Sequence, residues 1–76
     1  MRNFQAEIRR VIYRTMNPGL KTEGQAEAEI QNSILALGLP LIATHVEFLP
    51  GKGRWVEVAA LVNGEPVCVE LLTQVR

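Results

Sequence analysis

The chain has one cysteine, one histidine, no aspartate, and one tryptophan, one tyrosine and two phenylalanines in 76 residues. Each shortage excludes something. Cys68 has no second cysteine to bridge to, so an internal disulfide is impossible and a reducing compartment, the cytoplasm, is the expected location. The opening "MRNFQAEIRR" lacks the apolar core of a secretory signal. No apolar run approaches the roughly 20 residues that a membrane-spanning helix needs, so no membrane partner is expected. With His45 as the only histidine, no serine or cysteine has a visible base and orienting acid beside it. Ser33, His45 and Cys68 therefore read as buried or half-buried packing residues, and no catalytic residue is assigned. His45, Glu47, Glu57, Cys68 and Glu70 are of metal-ligating types, but they are scattered over three strand segments without a ligand spacing. Neither a metal nor another cofactor is expected, and the chain does not read as an enzyme.

What is present is a charge asymmetry inside a neutral total. Residues 1–21 carry Arg2, Arg9, Arg10, Arg14 and Lys21 against Glu7, a net +4; residues 22–76 carry Lys52, Arg54 and Arg76 against seven glutamates, a net −4. A basic leader on an acidic body points to an anionic partner or to pairing between the two parts. The length fits a single small domain, residues 1–76, near the lower limit for folding alone, where a second copy often completes the structure.

The apolar periodicity divides the chain into five elements. Phe4, Ile8, Val11, Ile12 and Thr15 share one side of a helix over residues 3–15, with the arginines and Tyr13 on the other. A strand through "RRVIYRTM" is the competing reading, because Val11, Ile12 and Tyr13 favour strands. "NPGL" ends the segment. Thr22 followed by Gln25 is a capping pattern that opens a second helix over 23–37, with Ala26, Ile30, Ser33, Ile34 and Leu37 as its stripe and Gly38 as its cap. From Leu41 the period becomes two: Ile42, Thr44, Val46 and Phe48 alternate with Ala43, His45 and Glu47. A strand from Trp55 to Val62 then meets a third through Asn63-Gly64, the strongest short hairpin signal. The expected fold is α+β: a basic helix and turn over 1–21, then an αβββ body over 22–76 whose strands form an antiparallel meander.

The two-residue turn sets a register. Pairing Val62 with Glu65 puts Ala60 opposite Val67, Val58 opposite Val69 and Val56 opposite Leu71, an apolar face for helix two together with Ile42, Val46 and Phe48. The other face pairs Leu61 with Pro66, Ala59 with Cys68, Glu57 with Glu70 and Trp55 with Leu72. Two facing glutamates destabilise a ladder by up to ~1 kcal/mol unless something answers them. Pairing with the helix-one arginines Arg9, Arg10 or Arg14, in the same subunit or a neighbour, is the favoured answer.

The expected function is a protein-interaction module that pairs with itself. Its interface would be Trp55, Ala59, Leu61, Cys68 and Leu72 with Glu57 and Glu70, because so apolar a second face exceeds what a small monomer exposes. The alternative is phosphate binding in nucleic acid by Arg9, Arg10, Arg14 and the tip residues Lys52 and Arg54. "PGKGR" lacks the longer glycine pattern and helix of a nucleotide-phosphate loop and reads as a hairpin tip. From Ala26 onward, "GLPL" (38–41), "VEVAALVNGE" (56–65) and "PGKGR" resemble the helix exit, middle hairpin and groove-touching loop of a double-stranded-RNA-binding domain. That resemblance implies a helix–sheet fold and phosphate contacts through Lys52 and Arg54. It departs at the family's basic C-terminal helix, which has no counterpart before Arg76.

Overall fold

The computed structural model describes residues 2–16, 19 and 22–74. Helix α1 spans Phe4–Thr15, α2 spans Glu23–Ala36, and strands β1 (Leu41–Leu49), β2 (Gly53–Val62) and β3 (Glu65–Thr73) form one antiparallel sheet in the order β1-β2-β3. The Asn3 side chain caps α1 by accepting from the Ala6 N–H at 3.1 Å, and Thr22 caps α2 by accepting from the Gln25 N–H at 3.0 Å. Residues 4–15 are thus helix rather than strand, with Asn3 as the cap. Of "NPGL", Asn17, Pro18 and Leu20 lie outside the described residues. Leu37 closes α2, and Gly38 follows at φ +81°.

The hairpin register is the expected one: Val62 pairs with Glu65, Val58 with Val69 and Glu57 with Glu70. Asn63 at φ +52° and Gly64 at φ +80° give the positive pair that a type I′ turn requires. In β1 the alternation breaks once. Leu41 pairs with Ala60 and Ala43 with Ala59, which leaves Ile42 extruded as a β-bulge. Ile42 is therefore 52 % exposed, not a core residue, and Leu41 packs inward in its place.

Both helices lie on one sheet face, α2 over β1 and α1 over β3 and β2, beside each other. Ile8, Val11 and Ile12 of α1 and Ala26, Ile30 and Ile34 of α2 are buried with Val46, Val56, Val58, Ala60 and Val69 in a single cluster. The expectation that the α1 arginines could meet Glu57 and Glu70 within their own subunit is thereby corrected. The apolar side of α1 already has a place in the core, where each fully buried Ile contributes roughly 1.5–3 kcal/mol.

The outer edge of β1 is capped at two positions by side chains from α2. The Val46 N–H donates to Glu27 Oε2 at 2.9 Å and the Phe48 N–H to Glu23 Oε2 at 2.7 Å. Main-chain donors that would otherwise face water or another strand thus meet carboxylates. Glu23→Ala with Glu27→Ala should speed amide exchange at Val46 and Phe48 roughly fivefold, equivalent to about 1 kcal/mol, while the Val58 amide keeps its rate.

Candidate functional site

The sheet face turned away from the helices is built by the other phase of the strands. The register sets His45, Glu57 and Glu70 directly opposite one another across β1, β2 and β3, with Glu47 opposite Trp55 and Trp55 opposite Leu72 on one side. Ala59 and Cys68 continue the face on the other side, followed by Leu61 and Pro66. Trp55, Glu57, Ala59 and Leu61 are half-buried; His45, Cys68, Glu70 and Leu72 are exposed, Leu72 by 46 %. A depression of about 190 Å³ lies among Ala43, His45, Glu57, Ala59, Cys68 and Glu70.

The reason two facing glutamates are tolerated differs from the expected one. Glu57 Oε1 accepts a 2.7 Å hydrogen bond from Trp55 Nε1, and Glu70 opens to water. Within a subunit Arg9, Arg10 and Arg14 do not reach them, because they lie exposed on α1, on the far side of the sheet. Spacing places Trp55 and Glu57 on one face, since residues two apart on a strand share a side, but not the hydrogen bond between them. His45 is held at the rim, its Nδ1 3.7 Å from Glu27 Oε2 and its Nε2 4.0 Å from Glu47 Oε2. His45 and Cys68 are thus surface residues, not the packed ones their neighbours suggested, since the face they occupy is the uncovered one. Cys68 is a free, exposed thiol. Among the described residues no three His, Cys, Asp or Glu side chains come close enough to hold a metal ion.

The cationic candidates fall into separate environments. Arg2 binds Glu7, with Nη2 2.7 Å from Oε1, and its guanidinium also lies 4.5 Å from the Phe4 ring centre. That hydrogen bond holds the Glu7 carboxyl below its usual range and raises Arg2 further. Arg54 lies over the Phe48 ring at 4.4 Å, next to the hairpin tip that carries exposed Lys52. A cleft of about 610 Å³ runs along this tip from Phe48 to Arg54 and ends at Gln74. Arg9, Arg10 and Arg14 line the outward side of α1 together with Tyr13, which is 63 % exposed.

No known protein family, curated protein or solved structure matches this chain. The resemblance to a double-stranded-RNA-binding domain accordingly rests on element order and short stretches. No helix among the described residues is long and apolar enough to cross a membrane.

Proposed function

We propose that this chain is a cytoplasmic, non-enzymatic interaction module that associates with a second copy of itself through the outer sheet face. The carrying observation is that neither helix covers this face while it holds half-buried Trp55, Ala59 and Leu61 and exposed Leu72. An apolar centre around an aromatic anchor, rimmed by charge, has the composition of an interface. The charge layout supports a particular geometry. The arginines of α1 and the carboxylates of the outer face lie on opposite sides of the subunit, so a neighbour's Arg10 and Arg14 meeting Glu57 and Glu70 makes a head-to-tail contact.

The test is a set of association constants by analytical ultracentrifugation. Trp55→Ala should weaken association most, by about 2 kcal/mol or roughly 30-fold. Glu57→Gln with Glu70→Gln, and Arg10→Ala with Arg14→Ala, should each weaken it less, and together by less than the sum of the two. A wild type that stays monomeric at hundreds of micromolar defeats the reading, and additive charge variants defeat the arginine–glutamate pairing.

A second reading, phosphate binding in nucleic acid, is favoured by one observation: Arg9, Arg10 and Arg14 all stand exposed on one helix. The net −4 of residues 22–76 opposes it. Sedimentation with added duplex separates the two, because micromolar binding that weakens steeply with salt and is lost in Arg9→Ala and Arg10→Ala belongs to the second alone.

A further inference from the structure

The two edges of the sheet are treated differently. On β1 the outward N–H groups of Val46 and Phe48 are occupied by Glu27 and Glu23. On β3 the outward groups follow from the hairpin. A two-residue type I′ turn closes on a hydrogen-bonded pair, here Val62 with Glu65, so every second pair along the ladder bonds and the intervening ones do not. Pro66, Cys68, Glu70 and Leu72 fall on the non-bonding phase, and their main-chain groups point away from β2. Pro66 fits this phase, since the N–H it lacks would face outward. No side chain among the described residues accepts from the N–H of Cys68, Glu70 or Leu72 as Glu23 and Glu27 do on the other edge. The sheet therefore has one edge capped at two positions by α2 and one edge open.

We infer that the open β3 edge pairs antiparallel with β3 of a second copy, on a two-fold axis through Val69, to make a continuous six-stranded sheet. The occupant follows from self-complementarity. β3 runs Glu65–Thr73, so Val69 is its midpoint and a Val69 axis uses the whole strand. On the helix-bearing face that register sets Val69 against Val69 and Val67 against Leu71 of the second copy. On the outer face Cys68 meets Glu70 and Leu72 meets Pro66, with no like charges opposed. About six main-chain hydrogen bonds form, the two missing at the ends being those Pro66 cannot donate. Moving the axis to Glu70 opposes two carboxylates directly. Moving it to Cys68 sets Leu71 against Glu65 and shortens the ladder. A two-fold contact closes on itself at two subunits, and the carboxylates at Val46 and Phe48 oppose addition of a further strand at β1. This contact uses the edge and not the outer face, so it stands or falls separately from the proposed face contact.

The experiment is residue-resolved amide exchange by NMR on the full chain, from tens of micromolar to about 1 mM, with sedimentation of the same samples. The amides of Cys68, Glu70 and Leu72 should exchange freely in the dilute monomer and slow at least tenfold in the associated species, while those of Val46 and Phe48 keep one rate throughout. Glu70→Pro, which removes one outward N–H as Pro66 already does, should be folded by circular dichroism and monomeric. If it does not fold, the wild-type amides decide alone. Glu70→Pro monomeric with Trp55→Ala unaffected supports edge pairing and counts against the face contact. Association abolished by Trp55→Ala, with the three β3 amides still unprotected, overturns edge pairing and leaves the face contact standing. A wild type monomeric across the range overturns it as well.

Discussion

Val58→Asp should leave the protein unfolded at room temperature. Val58 is 2 % exposed and sits between Thr44 of β1 and Val69 of β3, under the core cluster shared with both helices. Among the described residues, the cations of α1 are on its outward side, so a carboxylate at this position has no positive charge to meet. Burying an unpaired charge costs several kcal/mol on top of the lost apolar burial, against a total stability of about 5 kcal/mol for a domain of this size. Loss of far-UV and near-UV circular dichroism, or of the cooperative urea transition, is the readout. Glu70→Asp, next to Val58's partner Val69, is the control. Glu70 belongs to the opposite face, and the urea midpoint should stay close to wild type. A Val58→Asp variant with an unchanged midpoint would mean that Val58 does not face the helices.

Gly53→Ala should have the second largest effect on stability. Gly53 opens β2 at φ +115°, a region that L side chains rarely enter, and a Cβ there would stand 2.2 Å from the Thr73 carbonyl oxygen and 3.2 Å from its carbon. The strain of the dihedral and the collision with main chain add, and neither can be relieved by rotating a side chain. The substitution should lower the unfolding free energy by about 3 kcal/mol or more. It would also part the end of β3 from β2, where Thr73 Oγ1 donates to the Arg54 carbonyl at 3.3 Å. Gly51→Ala isolates the dihedral contribution: its φ is +74° but nothing lies within 4 Å of the new methyl. About 1 kcal/mol is expected there. Equal urea midpoints for the two variants would show that the approach of Thr73 is not what requires glycine at 53.

The features readable from sequence are those set by neighbours a few residues apart. Thr22 reaches the Gln25 amide, and Asn63-Gly64 turns with both φ angles positive, because a cap and a tight turn are settled within four residues. From that turn the pairing of β2 and β3 follows as far as Arg54 with Thr73. Ile42 defeats the same logic. Strict alternation places it inside, but where a bulge falls depends on β2, which the β1 sequence does not contain. The side on which α1 packs is hidden for a similar reason: Ile8, Val11 and Ile12 announce an apolar stripe without naming the sheet face that receives it. The carboxylates on the β1 edge were the least legible, since Glu27 and Glu23 lie 19 and 25 residues from the N–H groups they accept from. The makeup of the uncovered face was legible, because period two and one register determine it; the Trp55–Glu57 contact needed side-chain geometry as well.

The bulge at Ile42 has a consequence for chain length. A residue that two flanking pairs bypass is one the ladder does not need: with Ile42 excised, Leu41 and Ala43 would become consecutive and still face Ala60 and Ala59 in step. Inward and outward phases on either side would be unchanged, because the extruded residue belongs to neither. The entry to β1 is thus the point along this strand where a single-residue deletion is neutral for the fold, whereas the same change anywhere from Ala43 to Leu49 would turn part of the strand over and bring its polar side into the core.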